Sequence, residues 1–280
     1  MNRRQFLVAS AIGTAAVALP VAFYRRGTVG NGRAPARTDL RLTSHPGQRV
    51  VDGGRVCDVA TVENRVTVSS GAGAPVLLAD LAAPVSVSCR GETVHVVEWN
   101  GNRVGAFDPA GRRLASVGDD ELARPGDAAW LGDELVVADS FHQRLARFGA
   151  GGRLRGSIGR FGAGEGELSV ASSVAVDREG RLWVADGGNA RVAVFSDGGR
   201  PLGTIGGPGD GEGRMVSPRC VRIDATGDIH VADPLAGVVH VFDGEGRFRQ
   251  RQSIEGGLPI WLSSLPGGGM LVSLKPGRAA

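Results

Sequence analysis

Cysteine, tyrosine and long apolar runs are all scarce in this chain, and each shortage removes a class of protein. The three cysteines, Cys57, Cys89 and Cys220, show no C-x-x-C spacing, so neither a zinc site nor a dithiol redox motif is supported. All three fall in expected strands, where a thiol behaves as a small hydrophobe, while export would permit one disulfide of undetermined pairing and leave one thiol over. Aromatic residues make up 5% of the chain, with a single tyrosine, and none interleave with a basic face. That removes the stacking platform of an RNA reader. Sustained 3.6-residue periodicity is nearly missing as well. No H-E-x-x-H sequence, nucleophile elbow or Ser/His/Asp order is present. With 280 residues, 45 glycines and 42% hydrophobic residues, one all-β domain with a substantial core is the class that remains.

Acidic residues are absent from the first 36 positions, which hold Arg3, Arg4, Arg25, Arg26 and Arg33. Taking those five from the 32 Lys and Arg leaves 27 bases against 29 acids, so the rest of the chain is slightly negative and offers nucleic acid no electrostatic footing. The opening MNRRQFLV and the apolar stretch from Phe6 to Phe23 resemble a twin-arginine export signal. Arg3, Arg4, Phe6 and Leu7 match that motif, whereas Asn2 and Val8 depart from it. Ala34-Pro35-Ala36 offers a cleavage site. The competing reading is an uncleaved anchor, although 18 apolar residues are at the short end of a span and Pro20 weakens the helix. Both readings place residues 37–280 outside the cytoplasm, periplasmic or extracellular, with membrane contact only through the N-terminal segment.

The most telling pattern is a repeat. An acid at Glu98, Asp139, Asp186 and Asp233 recurs at intervals of 41, 47 and 47, and each is followed nine residues later by Phe107, Phe148, Phe195 or Phe242. Within the copy around residues 172–206, period-two alternation is broken by Gly and Asp turns, which is the signature of consecutive antiparallel strands. Four short strands per copy, none able to bury its faces alone, predict the blades of a β-propeller. Residues 84–118, 125–168, 170–216 and 218–254 are the second to fifth blades, and 55–81 an abbreviated first. The two strands of 259–274 then need completing by residues 39–51, whose Ser44-His45-Pro46-Gly47 stands where Asp108-Pro109-Ala110-Gly111 stands in the second blade. The sum is a six-bladed propeller closed by its N-terminal strands.

The motif V-A-D-x-x-x-x-R-V-x-V-F, followed by D-x-x-G-R and a Gly-rich loop, resembles the NHL repeat. The resemblance covers residues 84–254, with Val238 replacing the repeat arginine found at Arg103, Arg144 and Arg191, and Glu98 replacing its aspartate. It implies a propeller whose relatives include protein-binding scaffolds, RNA binders, lyases and kin of lactonases, and fold alone does not choose among them.

The residues narrow that choice. An acid and an arginine five apart flank a tight turn, so the acid accepts turn amides while the arginine reaches back, a staple repeated in every blade rather than a catalytic group needed once. His95 and His230 occupy the same repeat position, where the fourth blade has Trp183. They belong to opposite blades, too far apart to share a metal, and pack between blades instead. His142 lies in a turn, His240 on a third strand and His45 in a loop. The innermost strands line the channel with Asp58, Ser86, Ser88, Asp127, Ser172, Ser173, Arg219, Arg222, Ser263 and Ser264, a polar channel with a small-ligand pocket possible at its mouth. The Gly-rich loops at 159–168 and 206–218 connect strands, not strand to helix, and bind no phosphate.

The function expected is a binding or scaffolding module that takes a protein or small ligand on one loop face. Trp99, Phe141, His142 and Asn189, in the turns after the repeat acid, mark that face. No cofactor is called for. The alternative is a metal-dependent, lactonase-like or lyase-like enzyme at the channel mouth.

Overall fold

The computed structural model describes residues 40–275 apart from 44–47, 53, 72, 210 and 266–268, so Arg3, Arg4 and the rest of the expected export segment lie outside the described residues. Among the described residues no helix is long and apolar enough to cross a membrane. The chain forms six sheets. Five have four antiparallel strands in chain order. The first comprises Gln48–Asp52, Arg55–Ala60, Arg65–Ser70 and Val76–Leu78. The second comprises Pro84–Arg90, Thr93–Glu98, Arg103–Phe107 and Arg113–Val117. Pro125–Leu131, Glu134–Asp139, Arg144–Phe148 and Leu154–Ile158 form the third. Ala171–Val176, Leu182–Asp186, Arg191–Phe195 and Pro201–Gly206 form the fourth. Cys220–Ile223, Ile229–Asp233, Val238–Phe242 and Phe248–Ser253 form the fifth. The sheets are the expected blades of an all-β, six-bladed propeller.

Why these segments are strands is visible in what each one buries. Second strands such as Leu182–Asp186 are buried along their whole length, because both of their faces pack against neighbouring blades. The recurring phenylalanines end the third strands, opposite Val94, Leu135, Leu182 and Ile229, and all four are buried. Each such ring removed from water contributes about 2–3 kcal/mol. The core is therefore laid down between blades: Val136 and Leu145 of the third pack with Val174, Val184 and Phe195 of the fourth.

The sixth blade closes the ring, and here the structure corrects the expectation. Leu258–Ser264 pairs antiparallel with Met270–Lys275, and only Leu40–Thr43 is added from the N-terminal side, parallel to Met270–Lys275. In an antiparallel blade the fourth strand runs the same way as the second. A segment entering an innermost strand runs as a fourth strand, so with no third strand between them among the described residues it pairs parallel. Residues 48–52, expected to be the other closing strand, are instead the innermost strand of a complete first blade, with Val50 opposite Cys57. That shift moves Asp58 from the innermost strand, where it was expected, to the second strand.

Candidate functional site

In the second to fifth blades the turn between second and third strands is closed by the repeat acid. Glu98, Asp139, Asp186 and Asp233 are fully buried and stand opposite Arg103, Arg144, Arg191 and Val238. Asp186 accepts from Arg191 Nε at 2.8 Å and from the Ser169 amide at 2.6 Å, and Arg191 continues to the carbonyls of Ala163, Gly164 and Glu167. Asp139 is held in the same way by Arg144 Nε at 2.9 Å and the Ala123 amide at 2.8 Å. One acid thus joins a turn to the loop that enters its own blade. Two of the residues expected on a partner face belong to this device: Asn189 Nδ2 donates to Asp186 Oδ2 at 2.7 Å, and His142 Nδ1 lies 2.8 Å from Asp139 Oδ2.

The two departures from the repeat coincide with changes at one register position. Opposite Val96, Val137, Val184 and Val231 stand Gly105, Ala146, Ala193 and His240. The longer Glu98 extends over Gly105 and gains a second arginine, with Arg113 Nη1 at 2.7 Å beside Arg103 Nε at 3.0 Å. Burial disfavours its charge, but those hydrogen bonds and the Ala82 amide hold the carboxyl below its usual range. In the blade that lacks the arginine, buried His240 places Nε2 3.8 Å from Asp233 Oδ2.

The innermost strands meet in an axial network. Buried Asp127 of the third blade accepts from Ser86 of the second at 2.6 Å, Ser173 of the fourth at 2.7 Å and Arg222 of the fifth at 2.8 Å. Arg222 also lies over the Trp261 ring of the sixth, 4.5 Å from its centroid. Burial disfavours the Arg222 charge, yet the Asp127 carboxylate more than offsets it and raises its pKa. The first blade contributes Arg49, which pairs with Asp58 at 2.5 and 2.7 Å where the next four blades have Val87 with Val96, Ala128 with Val137, Val174 with Val184 and Val221 with Val231. Sequence reasoning missed Arg49 because the first blade was begun seven residues late. Asp127, Ser86, Ser173 and Arg222 were expected at the axis and are brought together there. Ser88, Ser172, Ser263 and Ser264 also lie on innermost strands, with Arg219 just before one.

At the end of the channel where the innermost strands begin, five blades surround a cavity of about 670 Å³, bounded by Gln48, Val85, Ser172, Pro218 and Ile260, with Glu63, Arg219 and Lys275 among its charged neighbours. The same face exposes Val62 at 90%, Leu235 at 72% and Phe141 at 64%, together with Phe161, Val170, Val216 and Leu258. These are seven of the ten large hydrophobics exposed among the described residues, and Leu77, Leu114 and Leu202 on outermost strands are the others. Trp99 meets Phe141 edge to face, with ring centroids 5.9 Å apart. Val62, Phe141 and Leu235 each sit two residues after the repeat-acid position, which in the first blade is Ala60. Comparing that position across all blades was the signal by which sequence alone had access to Val62 and Leu235.

The opposite face is charged. A cleft of about 730 Å³ between the fourth and fifth blades is lined by Asp177, Asp224, Asp228, Asp243, Arg178 and Arg181 among others. Its acids are engaged in turns: Asp177 takes the amides of Glu179 and Arg181 and Trp183 Nε1 at 2.8 Å, and Asp224 takes the Thr226 and Asp228 amides and His230 Nε2 at 2.9 Å. The shared position of Trp183 and His230 is therefore a donor to the acid of the preceding turn. His95 has no such acid and packs edge-on against Trp130 of the third blade, 5.0 Å between centroids. Burial and the Arg90 charge push it down to about 4. Among the described residues no three His, Cys, Asp or Glu side chains gather as ligands for one ion.

The family model of the NHL repeat matches residues 168–195, the first three strands of the fourth blade and the loop that enters them. No curated protein matches the chain by sequence. Among solved structures the chain is similar to a streptogramin B lyase, at 10% identity over 83% of this chain and 78% of that one, TM-score 0.66. It is similar to a catalytically inactive virginiamycin B lyase from Staphylococcus aureus with quinupristin, at 13% identity over 80% and 77%, TM-score 0.62. A nidogen/laminin complex matches at 15% identity over 80% and 82%, TM-score 0.58. At such identities the likeness carries the propeller fold and nothing of its chemistry.

Proposed function

We propose that this NHL-type propeller is an exported binding module that docks a protein partner on the face carrying the repeat turns. The observation that carries this reading is the one-sidedness of its exposed hydrophobics. Val62, Phe141, Phe161, Val170, Val216 and Leu235 belong to turns and loops on one face and Leu258 opens an innermost strand there, whereas turns of the other face carry none of the exposed large hydrophobics found among the described residues. An apolar surface of that kind on a rigid scaffold marks an interaction site. The hydrophobics reach from the third blade round through the sixth to the first, wider than a small ligand covers, which favours a protein. The 670 Å³ cavity at the centre then receives one of its apolar side chains. His142 and Asn189 contribute by fixing their turns, and Trp99 and Phe141 by direct contact.

Export through residues 1–36, with Arg3 and Arg4 as the receptor-read pair, places the partner in the envelope or outside the cell. The reading calls for no cofactor. The test is crosslinking in the native host's envelope with wild-type chain, with Val62→Glu/Leu235→Glu, and with Arg178→Glu on the opposite face. Loss of one specific adduct in the first variant alone supports the reading, and an adduct indifferent to the loop face sinks it. Metal content on the same preparation separates the rival: one bound transition metal per chain moves the weight to a hydrolytic or eliminating enzyme at the channel mouth.

A further inference from the structure

We propose that Cys57 and Cys89 are a latent disulfide that clamps the first blade to the second. The two residues stand at the same level of the seam between those blades, bracketed by Thr61 Oγ1 donating to the Pro84 carbonyl at 2.7 Å and Arg55 Nη1 donating to the Gly91 carbonyl at 2.8 Å, and they share one apolar cluster in which Cys57 is fully buried and Cys89 half-buried. They come from different sheets. Cys57 lies on the second strand of the first blade opposite Val50 and Val68, and Cys89 on the innermost strand of the second blade opposite Val94. Thiols at one level of such a seam reach a bond of ~2.05 Å by side-chain rotation. The chain holds one more thiol, Cys220, which is buried on the fifth blade beside Leu262 and Ser173 and takes no part.

The surroundings divide the labour between the two sulfurs. The neighbouring Cys57 thiol, helped by Arg55 against burial and the Asp52 charge, holds the Cys89 thiol below its ordinary value, and Arg55 is anchored on the Gly91 carbonyl at 2.8 Å. The Cys89 sulfur and burial push the Cys57 thiol up. Cys89 is thus the attacking thiolate and Cys57 the resolving thiol. The oxidant is a small or thioredoxin-fold disulfide. Cys89 attacks one of its sulfurs and expels the other as a thiolate, and the Cys57 sulfur then displaces the remaining half from Cys89, giving up its proton. Two protein thiols and one external disulfide become one protein disulfide and two external thiols. An oxidising compartment beyond the cytoplasm supplies that oxidant, but the bond does not depend on the partner-binding reading.

The wild-type chain, reduced and then held in oxidised glutathione at neutral pH, is alkylated after unfolding and digested without reductant. The expected result is one crosslinked peptide pair containing Cys57 and Cys89, an intact mass lower by about 2 Da, and alkylated Cys220. The oxidised form melts roughly 5–10 °C above the reduced one, because 31 residues lie between the two cysteines in the closed loop. Cys220→Ser retains the crosslink, and Cys57→Ser leaves glutathione fixed on Cys89. Alkylation of all three cysteines, a crosslink to Cys220, or glutathione persisting on wild-type Cys89 each overturns the proposal.

Discussion

Arg222 of the fifth blade donates to Asp127 of the third at 2.8 Å, joining strands 95 residues apart at the propeller axis. The pair is all but buried, with side-chain exposures of 17% and 1%. Ser86 and Ser173 complete the carboxylate's shell, so four blades are tied at one point.

Asp127→Asn keeps the shape but removes the carboxylate that balances a buried guanidinium. It should destabilise the fold by about 2–4 kcal/mol in urea, and Arg222→Met on that background should recover part of the loss. A single-variant cost below about 0.5 kcal/mol would show that the axis is held by packing alone.

Gly105 exists for the sake of Glu98. A Cβ at that position would lie 3.0 Å from Glu98 Oε1 and closer still to Arg113, whereas the two blades that pair aspartate with arginine carry Ala146 and Ala193 there. Gly105→Ala should therefore cost about 1–3 kcal/mol, and Glu98→Asp in the same chain should relieve most of it. Additive costs in the double-mutant cycle would contradict this account.

His95 sets a pH limit. Its folded value of about 4 lies below the ordinary 6.5, so the unfolded chain binds the proton more readily and stability falls as pH drops through that window. At pH 5 the loss relative to pH 8 is about 2 kcal/mol. His95→Phe should flatten the dependence of the denaturation midpoint between pH 7 and 5, above the range where Glu98 and Asp233 lose their charge. An unchanged slope would place the titration elsewhere.

Arg191 ties its turn and Asp186 to the loop at 160–167 through three carbonyls. Its replacement by alanine should cost about 2–3 kcal/mol and open that loop to limited proteolysis before global unfolding. Protection equal to wild type would mean that packing alone holds the loop.

The N-terminal proposal has its own measurement. Arg3→Lys/Arg4→Lys should leave the precursor in the cytoplasm, and the exported wild-type mass should begin near Arg37 if the signal is cleaved at Ala34-Pro35-Ala36. Full-length chain in the envelope would favour an anchor at residues 6–23.

Period, turn chemistry and strand alternation were local, and so the sequence alone determined the blade number, the second to fifth blades, the acid–arginine staple and the buried phenylalanines. The acid–arginine staple and its phenylalanine lie within ten positions of one another, and the blade number follows from repeating that unit along the chain. The closing blade was not local. Whether residues 39–51 gave two strands or one depended on a pairing with residues 270–273 at the far end of the chain, and only the tertiary structure decided that Leu40–Thr43 pairs parallel and that Gln48–Asp52 turns inward. The same holds for the axial network, the Cys57–Cys89 contact and the apolar loop face. Each gathers side chains from different blades, and nothing in the order of the residues records which side chains a closed ring brings into contact.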